Sequence, residues 1–428
     1  MLLIRKLNKF LKILGPGFIT GAADDDPSGI ATYSQTGAQF GFGQLWTALF
    51  MLPLQVAVQE ACARIGAVTG KGISAVIREH FSKKILFVVV LLVLIANTIN
   101  IGADIGAMAA AAGLIIPMNF TLLALLFTAI ILGLEIFTSY KRYARVLKWL
   151  TLSLIAYPIT VLIVNQQWIT ILKSSIFPHF ELSFDFLFVI TAVLGTTISP
   201  YMFFWQASEE TEEERAKHLL VRDNQPKINV KFIQSIQIDT LVGMIFSQIG
   251  AWSIIVVGAT VMHQNGITDI ASAADAAKAL EPLVQSFPNS GYLAKLLFAT
   301  GIIGLGFLSV PVLAGSAAYA LSEAMNWKEG LNLKLSRARG FYGVITVATL
   351  LGLLMNFIGI NPVKALIYTA VINGIVAAPL IFVIWLIARD EKIMGQYKSG
   401  RLSSALLGLT FTCMTIAGIA LIMTFFKG

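Results

Sequence analysis

Ala23-Asp24-Asp25-Asp26-Pro27-Ser28-Gly29 sits in the middle of an otherwise apolar run that extends from about 13 to 41. Three carboxylates inside such a run are expensive to place in hydrocarbon and have no packing purpose. Pro27 removes a backbone donor and pushes Asp26 out of helical geometry, and Gly29 loosens the chain further. The run is therefore expected to break into two half-helices, with freed carbonyls and Asp26 lining a protein cavity rather than meeting lipid. Successive helical residues point about 100° apart. Asp26 is thus expected at a bound ion, with Asp24 and Asp25 facing an aqueous path or another helix.

A second interruption, Gly195-Thr196-Thr197-Ile198-Ser199-Pro200-Tyr201, repeats the pattern of polar residues before a proline in an apolar stretch. A lone Ser-Pro often only kinks a membrane helix. Matched breaks at corresponding places point instead to an inverted-repeat transporter with its site where the breaks meet.

The rest of the chain fits a bilayer. Of 428 residues 57% are apolar and only 13% charged, about half the usual charged share. Eleven spans are expected, near 13–41, 45–68, 85–113, 119–138, 145–164, 184–206, 233–262, 292–324, 341–358, 363–388 and 404–425, each long enough for a core ~30 Å thick. With the N-terminus placed in the cytoplasm, 26 of the 31 lysines and arginines fall on the inside, and only Lys173, Lys278, Lys295, Lys364 and Lys427 do not. A miscounted helix would scramble that asymmetry from that point on. The expectation is a multi-pass protein of the cell (plasma) membrane, its N-terminus cytoplasmic and its C-terminus outside. It forms a single transmembrane domain over 1–428: a first five-helix repeat (13–164), a second (184–388) and an extra helix (404–425).

The net charge of +8 is explained by this topology, so no nucleic-acid partner is expected. Cys62 and Cys413 suggest neither a disulfide framework nor a metal knuckle. The basic start, Met1 to Lys12, lacks a small-residue cleavage site and does not read as a removable signal peptide. The loops 165–183 and 263–291 read as interfacial, the latter with an amphipathic stretch from Ile270 to Phe287. The acidic run Glu209, Glu210, Glu212, Glu213 and Glu214 reads as a solvated helix. Asn97, Asn100 and Asn373 read as polar contacts between helices that could also face the ion path.

The chain resembles the NRAMP family of divalent metal transporters. The residues that carry the resemblance are Gly15-Pro16-Gly17-Phe18, Asp26-Pro27, Gly37-Ala38-Gln39-Phe40-Gly41, Leu45-Trp46, the run from Ala63 to Lys71, and Asp239-Thr240. The resemblance covers essentially the whole chain. It implies an all-α LeuT-type fold of two inverted five-helix repeats (helices 1–5 and 6–10) plus one helix, with helices 1 and 6 discontinuous. It also implies a metal site at Asp26, at Gly29 and Ser199, and at the carbonyl of Thr196.

Departures from the family bear on the substrate. The family pattern Asp-Pro-Gly-Asn reads Asp26-Pro27-Ser28-Gly29 here, and Met-Pro-His reads Ser199-Pro200-Tyr201. Losing a soft thioether for a hydroxyl removes the donor that favours transition metals. Gly and Ser for Asn and Met are expected to enlarge the site and to suit a partly hydrated Mg²⁺, with Mn²⁺ as second substrate. The pattern resembles the magnesium-transporting branch of the family's relatives. In Gly102-Ala103-Asp104-Ile105-Gly106-Ala107, Asp104 matches a family proton-path acid while Ala107 replaces its glutamate. Tyr201 replaces a histidine, and tyrosine is a poor relay near neutral pH. His80, His179 and His218 fall in loops and His263 at a segment end. Asp24, Asp25, Asp104, Tyr201 and Asn373 are candidates for the ion path. The expected function is uncoupled Mg²⁺/Mn²⁺ uptake by alternating access, without a resident cofactor. The alternative is an ordinary proton-coupled Mn²⁺/Fe²⁺ importer. A sodium-coupled solute carrier is disfavoured by the three acids at the break, and an intramembrane enzyme because no His-Glu-x-x-His pair exists. A channel is a further option, which saturable flux at low turnover would separate from a carrier.

Overall fold

The computed structural model describes residues 15–138, 154–216, 219, 226 and 228–425. The basic start, the basic residues from Lys141 to Lys148, the first part of the expected fifth span (145–153) and His218 lie outside them.

The two interruptions break their helices. Helix α1, Pro16–Asp24, stops where Asp25 leaves helical geometry (φ −82°, ψ 57°), and α2, Pro27–Phe40, restarts at Pro27. Asp26 is extended (φ −66°, ψ 174°), as the residue before a proline should be. Its carboxylate caps the new helix by accepting from the Gly29 N–H. After α3 (Trp46–Thr69), α4 (Ile73–His80), α5 (Lys83–Ala112), α6 (Phe120–Phe137), α7 (Ala156–Ile163) and α8 (Trp168–Ile176), the second break repeats this arrangement. Helix α9, Phe184–Thr197, ends at Ile198 (φ −120°, ψ 66°), and α10 runs Pro200–Ala216. The remaining described helices of six residues or more are α11 (Val230–Val257), α12 (Ala273–Lys278), α13 (Ser290–Met325), α14 (Arg339–Met355), α15 (Pro362–Arg389) and α16 (Arg401–Phe425).

Among the described residues eight helical segments are long and apolar enough to cross a bilayer. The first expected span is not one of them, because its halves are 9 and 14 residues long. The fifth shows only α7, and α14 has 17 residues. The full count of eleven is therefore not established. Large apolar side chains such as Leu122, Leu126, Leu162 and Ile416 are exposed on the outer helices, the side that lipid would cover.

The interior is held by backbone contact and buried polar caps. Helix α1 lies directly on α11, where a Cβ on Gly21 would run into the Gly243 backbone. Asp239 of α11 accepts three peptide N–H groups at the start of α1: Gly15 and Phe18 on Oδ1 (2.8 and 3.2 Å) and Gly17 on Oδ2 (2.8 Å). Pro16, between them, has no N–H to satisfy. The Gly-Pro-Gly-Phe motif and a residue more than two hundred positions away are thus one structural unit.

The acidic run corrects the sequence reading. Helix α10 continues through it, and Glu210, Glu212 and Glu214 are buried rather than solvated. Glu212 accepts from the Tyr319 hydroxyl, the Leu331 N–H (2.8 Å) and the Asn332 side chain, so it ties α10 to α13 and the turn beyond it. Glu323 on α13 accepts from the Ser74 N–H (3.0 Å), the Ala75 N–H (3.3 Å) and Ser208 Oγ (2.8 Å). Glu212 and Glu323 can stay buried because each of these two carboxylates meets several donors.

Candidate functional site

The two breaks meet. Asp26 Oδ1 accepts from Ser28 Oγ (2.6 Å) and the Gly29 N–H (2.8 Å), and Asp26 Oδ2 accepts from Asn100 Nδ2 of α5 (3.0 Å). Ser28 Oγ lies 3.3 Å from Thr196 Oγ1 at the end of α9. Ser199 Oγ donates to the carbonyls of Gly195 (2.9 Å) and Thr196 (2.7 Å), two of the groups freed by the second break. Tyr33 OH and Thr197 Oγ1 lie 2.8 Å apart, and Tyr201 OH donates to the Ala23 carbonyl (3.1 Å). A continuous polar network therefore runs from Asp26 through Ser28 to Thr196 and Ser199, fully enclosed by protein.

Each expected site residue has a defined place. Asp26 is at the centre. Gly29 enters through its N–H, and a Cβ there would stand 3.4 Å from Thr196 Oγ1 and from the Tyr33 ring. The space that a larger residue would need at 29 is thus bordered by those two side chains. Thr196 and Ser199 face the break from the other repeat. Tyr201 bridges the two breaks. Asp104, one turn beyond Asn100, accepts from Ser309 Oγ of α13 at 2.6 Å. Asn373 is buried on α15 with its amide nitrogen unpartnered, beside Gly374, whose backbone touches Gly195 of α9. Asp24 and Asp25 point elsewhere: Asp24 Oδ2 accepts from Gln55 of α3 and from Ser247 Oγ of α11 (2.7 Å).

Two residues were not singled out for the site by the sequence. Ser28 was visible only as part of the Asp-Pro-Ser-Gly motif. Asn100 reads first as a contact between helices and second as a residue facing the ion path, and its amide touches the central carboxylate. Asn97, one turn earlier, does play that part, donating to the Leu313 carbonyl at 3.0 Å.

The donor set is oxygen throughout: carboxylate, hydroxyls, an amide and freed carbonyls. Oxygen donors suit hard divalent cations, Mg²⁺ and Mn²⁺ among them. The cation is cargo in such an arrangement, so no resident metal is required. Ala107, where a glutamate was expected from the resemblance, is buried in the apolar core. The described histidines are remote from the breaks. His80 ends α4, His179 stacks edge-on to Phe186 near the start of α9, and His263 Nδ1 contacts the Ala38 carbonyl at 2.8 Å.

Residues 17–424 match the family described as natural resistance-associated macrophage protein-like, Nramp. A divalent metal cation transporter MntH from Bacillus subtilis is 24% identical over 433 residues, covering 99% of this chain and 95% of the relative. One from Caldanaerobacter subterraneus is 24% identical over 398 residues, covering 92% and 88%. In fold, the chain is similar to the Eremococcus coleocola manganese transporter, with TM-score 0.74, 16% identity and coverage of 95% and 85%. It is also similar to MHP1, a nucleobase-cation-symport-1 family transporter in a closed conformation, with TM-score 0.57, 15% identity and coverage of 96% and 90%.

Proposed function

The chain belongs to the Nramp family, and on that premise we propose that it carries divalent metal cations, Mg²⁺ and Mn²⁺ foremost, into the cytoplasm by alternating access and without proton coupling. The observation that carries the proposal is the meeting of two broken helices around Asp26 with an all-oxygen donor set. Relatives named divalent metal cation transporters support the general activity.

Asp26 supplies the charge. Ser28, Thr196 and Ser199 offer oxygens around it, and Asn100 holds the carboxylate in place while turning a free amide oxygen to the interior. Gly29 offers no side-chain donor, so water completes the coordination sphere. Mg²⁺, which dehydrates reluctantly, tolerates that best. The absence of a thioether removes the preference for softer metals. Asp104, Tyr201 and Asn373 line the route to or from the site.

Uncoupled transport is supported by what stands at two of the three proton-handling positions, Asp104 being retained at the third. Ala107 cannot take up a proton, and the Tyr201 hydroxyl is engaged with a backbone carbonyl. The membrane potential suffices as a driving force, since a divalent cation gains about 4.6 kcal/mol on entering a cell at about −100 mV. The distribution of basic residues supports a cytoplasmic N-terminus and an outside C-terminus.

Uptake of Mg²⁺ and of Mn²⁺ into proteoliposomes tests this, with wild type compared with Asp26→Ala. Saturable uptake of both ions, lost in the variant, is expected. Uptake of Mn²⁺ with none of Mg²⁺ would overturn the substrate assignment, and undiminished uptake by Asp26→Ala would overturn the site.

A further inference from the structure

Asp24 and Asp25 take no part in the network around Asp26. Both are fully buried, and both reach one hydroxyl on α11: Ser247 Oγ donates to Asp24 Oδ2 at 2.7 Å and stands 3.5 Å from Asp25 Oδ1. Gln55 of α3 donates to the same Asp24 oxygen, and Gln248 Nε2 donates to Gln55 Oε1 at 2.9 Å. Five side chains from three helices thus form one connected polar cluster at the end of α1.

The cluster has more acceptors than donors. Asp24 Oδ1, Asp25 Oδ2 and Gln248 Oε1 are buried without any hydrogen-bond partner. Among the described residues no lysine, arginine or histidine pairs with either aspartate. The α11 backbone is brought right up to Asp25: a Cβ on Gly250 would stand 2.9 Å from Asp25 Oδ2. The C-terminal end of α1 adds the partial negative charge of its unsatisfied carbonyls. Unpaired buried acceptors next to two carboxylates are costly unless a cation or protons answer them.

We propose that Asp24, Asp25, Gln55, Ser247 and Gln248 form a second cation station between α1, α3 and α11, separate from the Asp26 site, that takes a divalent cation. Two carboxylates match a charge of two, and hydroxyl and amide oxygens are hard donors of the kind Mg²⁺ and Mn²⁺ accept. Gln248 and Gln55 orient Asp24, and Gly250 leaves room for Asp25. Two stations side by side let an arriving ion help to displace the one ahead, a familiar device for moving tightly held ions. The station does not depend on Asp26 binding an ion.

Equilibrium binding of radiolabelled Mn²⁺ to the purified full chain tests the proposal, each variant first being checked for wild-type elution and melting. Wild type is expected to bind two ions, Asp26→Ala one, and the double variant Asp24→Asn/Asp25→Asn one. Ser247→Ala, which removes only a hydroxyl, is expected to weaken the second ion about tenfold, as loss of a charge-assisted contact does. One ion in wild type that is lost in Asp26→Ala and retained in the double variant would overturn the second station and leave the Asp26 reading intact. One ion lost in the double variant and retained in Asp26→Ala would uphold the station and overturn the Asp26 reading. Two ions in wild type with Ser247→Ala and the double variant both unchanged would overturn the assignment of these residues.

Discussion

Asp239→Ala removes the cap of α1 and leaves three peptide N–H groups, those of Gly15, Gly17 and Phe18, without their acceptor. An unsatisfied buried donor costs about 1–3 kcal/mol, and bonds to a carboxylate stand at the upper end. Gly15 and Phe18 are only partly buried and recover some of this from water, so the total is about 3–5 kcal/mol. For 428 residues unfolding together, roughly 0.9 kcal/mol corresponds to one degree. The melting temperature of the purified protein should therefore fall by about 3–6 °C. Asp239→Asn separates the charge from the geometry. Its single oxygen can still serve Gly15 and Phe18, which share Oδ1, while its amide turns a donor toward the Gly17 N–H. About half the loss is expected. Scans at one fixed rate in one detergent keep the comparison fair if unfolding is irreversible. A shift below about one degree in Asp239→Ala would refute the reasoning, since it would mean that α1 is held by its glycine contacts alone.

Other consequences can be read from the same structure. Gly21→Ala places a methyl group against the Gly243 backbone and should cost about 1–3 kcal/mol of stability, visible as a lower melting temperature. Asn100→Leu strips Asp26 Oδ2 of its donor, and the half-saturating Mg²⁺ concentration in uptake assays should rise about tenfold. Glu329, in the turn after α13, is raised from 4.5 to about 9 by burial and by the nearby Glu323 carboxylate. A raised carboxylic acid favours the folded state below its unfolded pKa, and that contribution is lost as pH climbs through the folded value. Glu329→Gln should therefore gain stability relative to wild type between about pH 5 and about pH 9, as measured by paired melting curves. Parallel curves would show that Glu329 does not titrate in that window.

The positions of both breaks were legible because they rest on local chemistry. Asp26-Pro27 and Ser199-Pro200 each set a proline after a run of polar residues, and that combination marks the break; Pro53, Pro311 and Pro379, which follow apolar residues, sit in helices that run on through them. Eight of the expected spans were legible for the same reason, since apolar length is a one-dimensional property. What the sequence did not show is which distant residues complete each motif. Gly15, Gly17 and Phe18 need Asp239, and nothing in either segment names its partner. Asn100 reads like any polar residue inside an apolar helix, and only the packing of α5 on the first break puts its amide on Asp26. The acidic run of α10 misled because charge runs are ordinarily solvated. Here Glu212 finds its donors on α13 and in the turn at Leu331 and Asn332, a pairing that only the assembled bundle provides.

Ion flux with simultaneous recording of internal pH tests the central claim most directly. Proteoliposomes at an inside-negative potential are given Mg²⁺ or Mn²⁺ outside, with Asp26→Ala as the control. The account predicts saturable uptake of both ions without acidification of the lumen, abolished in the variant. Proton entry in step with Mn²⁺ uptake, and no Mg²⁺ transport, would contradict it and would make this chain a proton-coupled transition-metal importer with a rebuilt site.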